Sequence, residues 1–133
     1  MPSVPIASIP FIMDGFLTTL LPGVPIAYQG VTFDPPDIDL WVRPVCKTGD
    51  MEDAEKGCDG YSRRNGLYIV DIFAPAPKKT KDAWEKAVAI ECGFRRQCVN
   101  GVQIEDPYTE NLGIDPYNKF HVRVIAPWWC WAA

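Results

Sequence analysis

Apolar side chains recur at helical spacing near the start of the chain and again after its midpoint. The first stripe predicts a helix that Ser8 caps and that Pro22-Gly23 ends, with the members Ile9, Ile12, Met13, Phe16, Leu17, Leu20 and Leu21. The second predicts a helix that Thr80 caps and that Asn100-Gly101 ends, with the members Ala83, Ala87, Ile90 and Phe94.

Short apolar runs bounded by proline and glycine predict the extended segments, which are residues 24–28, 31–33, 39–46, 66–74, 102–105 and 119–126. Pro44 has no N–H for a sheet ladder, so the segment that contains it is expected at an edge or a bulge. Residues 66–74 are apolar on both faces, with Asp71 as their single charge, which is typical of a central strand. In the last segment Phe120, Val122, Val124 and Ala126 are expected inward and Lys119, His121 and Arg123 outward.

Two stretches are predicted to be loops. Residues 106–118 contain two prolines and a glycine, and residues 47–65 are nearly all charged, glycine or small. The longer loop carries both signs and is either a solvated excursion or functional. Its charges are Asp50, Glu52, Asp53, Glu55, Asp59, Lys47, Lys56, Arg63 and Arg64. The resulting expectation is an α+β fold: one domain over residues 1–133, with a mostly antiparallel sheet of four to five strands, two helices packed against it and a long charged loop.

The net charge of −4 argues against a generic nucleic-acid binder, which needs a concentrated basic surface. The five cysteines form no CxxC pair and are interpreted as reduced thiols, although their spacing leaves a disulfide possible. The apolar N-terminal stretch lacks a basic leader and is interrupted by Pro10, Asp14 and Gly15, so neither a signal peptide nor a membrane span is expected.

Few residues favour catalysis. His121 is the single histidine, and its outward position predicts a solvated side chain. No cysteine has the local signature of a nucleophile, the acidic residues lack the spacing of a calcium loop, and no glycine-rich loop precedes a helix. The sequence therefore predicts no catalytic residue, no cofactor and no metal site.

The chain ends in a cluster of Trp128, Trp129 and Trp131. Tryptophan is enriched at protein interfaces because each side chain buries a large area at low entropic cost. The three side chains either contact another subunit or fold back over an edge of their own sheet. We expect an exposed patch that contacts another subunit, because Pro127 is predicted to end the last strand.

Two segments carry a family resemblance. Residues 24–36 read Val-Pro-Ile-Ala-Tyr-Gln-Gly-Val-Thr-Phe-Asp-Pro-Pro and are followed by Leu-Trp-Val-Arg; residues 66–75 read Gly-Leu-Tyr-Ile-Val-Asp-Ile-Phe-Ala-Pro and precede an alanine-rich helix. With the preceding helix, this order resembles the tail terminator-like proteins of long-tailed, siphovirus-type bacteriophages over residues 9–105. The loop after Trp41-Val42-Arg43 is longer and more acidic than the family pattern, and the tryptophan-rich end is not a family feature.

The resemblance implies a structural virion protein that acts at the head-proximal end of the phage tail. Copies would form a homo-oligomeric ring, usually a hexamer, that stops polymerisation of the tail tube and presents a head-joining surface. The implied partners are the tail tube protein and the head–tail connector protein. Genomic DNA would only pass through the channel, no membrane would be involved, and assembly would take place in the host cytoplasm.

The residues proposed for the interfaces are Asp50, Glu52, Asp53, Glu55, Arg63, Arg64, Trp128, Trp129 and Trp131. Two alternatives stay open. One is another head-completion, connector or tail tube protein, and the other is a small enzyme or ligand-binding α+β domain that uses His121 and a cysteine.

Overall fold

The computed structural model describes residues 3–37, 39–53, 62–76 and 78–132, with the backbone alone at 50–53. A 3-10 turn at Ile6–Ser8 leads into the first helix. The elements that follow are α1 (Ile9–Leu20), β1 (Trp41–Asp53), β2 (Ser62–Pro75), α2 (Thr80–Phe94), β3 (Cys98–Val99), β4 (Val102–Ile104), β5 (Tyr108–Ile114) and β6 (Lys119–Trp131).

The strands form one antiparallel sheet in the order β1-β2-β6-β4-β3, and β5 pairs with the first half of β6. Both helices contact the sheet, α1 at β1 and β3 and α2 at β2, β5 and β6. The predicted α+β class, with an antiparallel sheet and two helices, is therefore confirmed. Among the described residues, no helix is long and apolar enough to cross a membrane.

The core lies between the helices and one face of the sheet. The helices contribute Ile9, Met13, Leu17, Ala83, Ala87, Ile90 and Phe94, and the long strands contribute Val42, Tyr68, Val70, Ile72, Phe120, Val122, Val124 and Ala126. The predicted helix stripes and the predicted inward face of the last strand are confirmed. Burial of this kind is the main stabilising term of a domain of this size.

The prediction of a long charged loop at residues 47–65 is wrong at both ends of that segment. β1 continues to Asp53 and β2 begins at Ser62, in a register that pairs Lys47 with Leu67 and, beyond a bulge after Thr48, Glu52 with Arg63. Polar residues extend the strands here because β6 pairs with β2 on the other side, as far as Trp131, and supplies a second ladder. The prediction for Glu55, Lys56 and Asp59 falls on residues 54–61, outside the described residues.

Four further boundaries differ from the sequence prediction. Residues 24–28 make one bridge, Ile26 to Val42, and residues 31–33 form no strand. The loop predicted at 106–118 contains β5, a half-exposed strand whose polar residues resemble those of a loop. Asn100-Gly101 does not end α2; both residues have positive φ and form the tight turn between β3 and β4.

The predicted helix caps are also wrong. The Ser8 side chain makes no capping hydrogen bond because the chain enters α1 through the preceding 3-10 turn. Thr80 is the first helical residue of α2 rather than its cap, and Arg95 and Arg96 lie beyond the end of that helix.

Candidate interaction surfaces on the open face of the sheet

The face of the sheet that points away from the helices, here called the open face, carries rows of side chains that run across the strands. The central row alternates in charge from β1 to β5, because the register aligns Arg43, Asp71, Arg123 and Glu110. An aromatic row lies beside it and consists of Trp41, Phe73 and His121. The lone aspartate in an otherwise apolar β2 is thus placed between two arginines on the neighbouring strands.

Asp71 is buried, and its carboxylate accepts three hydrogen bonds. Arg43 Nη2 lies 3.1 Å from Oδ2, while Arg123 Nε lies 2.7 Å and His121 Nε2 lies 2.8 Å from Oδ1. Burial alone would raise the pKa of Asp71, but the hydrogen bonds from Arg123, His121 and Arg43 outweigh it and hold the pKa below its ordinary value. These four residues are named the Asp71 cluster.

The prediction that His121 is solvated is wrong. Its ring stacks on Phe73 at 4.3 Å, and Phe73 in turn stacks on Trp41 at 4.5 Å. An outward position does not mean exposure here, because flat side chains on three adjacent strands cover one another. The histidine contacts a buried carboxylate and an aromatic ring, which makes it part of the packing of the open face.

Cys46, the cysteine opposite Tyr68, lies on the other face of the sheet. The Tyr68 hydroxyl donates a hydrogen bond to Asp14 of α1. Burial and the nearby Asp14 carboxylate raise the pKa of Cys46 to about 11, so its thiol stays protonated at neutral pH. The His121–cysteine pair that the enzyme alternative requires is not formed by Cys46. Among the described residues no group of three His, Cys, Asp or Glu side chains could hold a metal ion.

The prediction that Trp128 is exposed is wrong. Its side chain is 1% exposed and belongs to the core. It lies opposite Gly66 in β2, where an added Cβ would stand 2.5 Å from the indole Cζ2 and 2.2 Å from the Lys47 carbonyl oxygen. The bare backbone of Gly66 therefore provides the space that the indole fills. Pro127 does not end β6, since the strand continues there with β4 as its new neighbour.

The remaining two tryptophans of the cluster lie on the open face. The rings of Trp129 and Trp131 meet edge to face at 5.6 Å, and the Arg63 guanidinium lies 4.4 Å from the centre of the Trp129 ring. Arg63 Nη2 also lies 3.7 Å from Glu105 Oε1, and both side chains are exposed. Arg63, Glu105, Trp129 and Trp131 are named the Arg63–Trp cluster.

The structure brings together only part of the predicted interface set. Arg63 lies with Trp129 and Trp131, whereas Arg64 is aligned with the core residue Cys130 on the opposite face. Within the described part of the chain, Arg64 Nε is buried without a hydrogen-bond partner. The backbone places Glu52 across from Arg63 and Asp53 across from Ser62, at the start of the hairpin arm. Glu55 lies outside the described residues.

Sequence reasoning missed the Asp71 cluster. The available signal was a lone aspartate in a strand that is apolar on both faces, because such a charge must find cationic partners when it is buried. Arg43 and Arg123 were present in two other predicted strands, residues 39–46 and 119–126. Register was the missing information, since a shift of one residue would have placed both arginines on the other face.

Comparison with known proteins gives the family. The profile of the family described as phage tail terminator protein matches residues 12–124. The fold and its rows of interacting side chains thus belong to a structural protein of the virion, and the chain is a member of the phage tail terminator family. The predicted family resemblance is confirmed.

Two solved structures share the fold. One, which carries no functional description, has a TM-score of 0.68 at 14% identity and covers 96% of this chain and 92% of its own. The other belongs to the virion of a native gene transfer agent particle, with a TM-score of 0.57 at 12% identity, and covers 93% of this chain and 90% of its own. No curated protein matches the chain.

Proposed function

We propose that copies of this chain form a hexameric ring on the head-proximal end of the tail tube, where the ring stops tube polymerisation and presents the head-joining surface. The observation that carries the proposal is the family match over residues 12–124, which includes α2 and β1 to β5 in full. The shared fold with a chain of a gene transfer agent virion supports a place in such a particle. The partners proposed are the tail tube protein and the head–tail connector protein, and assembly is proposed in the host cytoplasm.

The Arg63–Trp cluster is the surface that we assign to the tube or the connector. Arginine and tryptophan are the residues that most often dominate binding energy at interfaces. The pair between Arg63 and Glu105 is exposed, and exposed ion pairs contribute only about 0–1 kcal/mol. Arg63 can therefore leave Glu105 and pair with a carboxylate of a partner protein with little loss of free energy.

The hairpin arm of β1 and β2 lies at the same end of the sheet as this cluster. The backbone of β1 carries Asp50, Glu52 and Asp53 there, next to Arg63 and Arg64 of β2. Both signs of charge are thus available for pairing with a neighbour. We propose that the arm reaches the tube ring below or the connector above.

The net charge of −4 suits a subunit around a channel that DNA crosses. A positively charged lining would hold the phosphates and slow the passage of the genome. DNA is therefore proposed only as a passing polymer, without a binding site on this chain.

No residue is proposed as catalytic, and no cofactor, metal or membrane is proposed to bind. His121 is engaged by Asp71 and Phe73, and the thiol of Cys46 lies on the opposite face of the sheet. A separate connector role or a tube role stays the alternative, and it differs in how the purified chain assembles.

The test is to mix the purified chain with tube subunits of the same phage and to measure tube lengths by negative-stain electron microscopy. We expect small closed rings from the chain alone and short, capped tubes from the mixture. Arg63→Ala with Trp129→Ala should abolish capping, while Lys79→Ala, which removes another exposed ion pair, should cap normally. Tubes that lengthen as if the chain were absent would refute the proposal, and long tubes built from the chain itself would favour a tube subunit.

A further inference from the structure

An apolar surface lies where α2 meets β5. Val88 is 55% and Ile114 62% exposed, and Trp84 and Leu112 are also exposed. Thr109 Oγ1 donates a 2.7 Å hydrogen bond to Glu91 Oε1, which ties the strand to the helix. These two elements thus present one surface, here named the β5 flank.

β5 is also a sheet edge. Within the described part of the chain it pairs with β6 alone, so the other side of its backbone meets no strand. An unpaired edge beside exposed apolar side chains is a common place for another chain to bind. Its sequence contains neither lysine nor proline; its one charged side chain, Glu110, lies opposite Arg123 of β6, and its bulge falls between Asn111 and Gly113, so residues 108–111 keep a regular register.

A second apolar surface lies on the opposite side of the domain. Phe11 of α1 is 78% exposed, and together with the exposed Val31 it lines a shallow groove of about 350 Å³. The Thr18 and Tyr28 hydroxyls lie 2.6 Å apart and tie the turn at residues 28–31 to the helix. This surface is named the α1 flank.

The two flanks lie at opposite edges of the sheet. Residues 25–27 run along the outer edge of β1, where Ala27 N donates to the Val42 carbonyl at 2.8 Å and Val42 N donates to the Pro25 carbonyl at 3.0 Å. β1 begins the strand order, and β5 follows β6 on the far side. A contact between the two flanks therefore joins different copies.

The charges near the two flanks are complementary. Residues 1–36 contain Asp14 and Asp34 and no lysine or arginine, and Asp14 lines the groove of the α1 flank. Residues 78–96, which include α2, contain six basic and three acidic side chains, and β5 adds Glu110, so these two segments together have a net charge of +2. The exposed Lys81 lies one helical turn before Trp84 of the β5 flank, and the exposed Asp34 follows Val31 of the α1 flank. Opposite charges around two apolar centres favour association in one orientation.

We propose that the β5 flank of one copy packs against the α1 flank of a second copy of this chain. This contact uses two different surfaces, so it is heterologous and closes into a ring when the rotation between copies fits. The proposal rests on the ring of the proposed function and names the surfaces that build it. The tube and the connector are left to the Arg63–Trp cluster at the end of the sheet.

The test uses one disabled flank per variant. Phe11→Glu with Val31→Glu disables the α1 flank, and Val88→Glu with Ile114→Glu disables the β5 flank. The control, Leu67→Glu, changes an exposed apolar residue of the central strand β2. Native mass spectrometry and light scattering over a concentration series then give the assembly state. Circular dichroism melting confirms that each variant is folded.

We expect the control to assemble as the parent does and each double variant to stay monomeric. A mixture of the two double variants should form a one-to-one dimer, because each still carries the flank that the other has lost. Ring formation by either double variant would overturn the proposal, as would dimers of the α1-flank variant alone, which would mean that the β5 flank binds itself. A parent chain that stays monomeric at every concentration would also overturn it.

Tube capping by the same proteins separates this inference from the proposed function. Parent protein that caps tubes, with both double variants assembling and capping equally well, refutes the flank assignment and leaves the function standing. Parent protein that assembles through these flanks but does not cap tubes refutes the function and leaves the flank contact standing.

Discussion

Replacement of Asp71 tests whether the open face is held together by its central carboxylate. Asp71→Ala removes the acceptor of three hydrogen bonds and leaves Arg43, Arg123 and His121 around an empty space. Asp71→Asn keeps the size of the side chain and one oxygen but removes its charge. The two variants therefore separate the effect of charge from the effect of packing.

The expected loss follows from burial. Removing one partner of a fully buried ion pair costs about 3–5 kcal/mol, because an uncompensated charge stays behind. Here the side chains of Arg43 and Arg123 are 48% and 33% exposed, so both regain water when the carboxylate is lost. We therefore expect a loss of about 2–3 kcal/mol for Asp71→Ala and a smaller loss for Asp71→Asn, a clear fraction of the ~5–15 kcal/mol of a typical domain.

Urea unfolding followed by tryptophan fluorescence at pH 7 measures these losses, and a pH series measures the charge. The folded-state pKa of Asp71 is below its ordinary value, so its contribution is complete above about pH 4 and is lost as the pH falls through the folded-state pKa. The stability of the parent should therefore fall more steeply in acid than that of Asp71→Asn. Equal stability of Asp71→Asn and parent at pH 7, with equal acid slopes, would refute the reasoning.

Other changes test the core and the arm. Trp128→Ala should lower the free energy of unfolding in urea by about 3–5 kcal/mol, because it removes a large buried side chain. Trp128→Phe should lower it less, because no described residue accepts a hydrogen bond from the buried indole N–H; similar losses for both variants would contradict this. Gly66→Ala should lower the melting temperature sharply, since the new Cβ would meet the backbone oxygen of Lys47; an unchanged melting temperature would show that β1 and β2 can separate. Truncation after Ala126 should unfold the domain, as judged by circular dichroism, because it removes Trp128 and the strand that pairs with residues 63–67; a folded truncated chain would contradict the burial of Trp128. Cys46 should react with iodoacetamide slowly at pH 8 and much faster near pH 11, whereas a fast reaction at pH 8 would contradict its raised pKa.

The sequence predicts the parts of the fold whose signal is local. The stripes of α1 and α2 and the alternation of Phe120, Val122 and Val124 depend on spacing within one element, and the structure has all three on the core side. Pro44 was correctly expected at an edge, since β1 is the first strand of the sheet. These patterns were sufficient to predict α1, α2 and the last strand, because one face of each of these elements is buried in the core.

The parts that failed depend on partners distant in sequence. The burial of Trp128 could not be predicted, because the space for its indole exists only where Gly66 lies opposite it in β2. Residues 62–66 were predicted as loop because they are mostly polar, but in the structure they form a strand that pairs with the end of β6. β5 has polar residues because it is an edge strand, and polar composition does not distinguish such a strand from a loop.

Tail length in phage that lack this chain tests the central claim most directly. Lysates of a phage with the gene interrupted, examined by electron microscopy, should contain tails longer than those of the parent and not joined to heads. The gene supplied from a plasmid should restore uniform tails on filled heads. Tails of parental length joined to heads in the absence of the chain would contradict the proposed function.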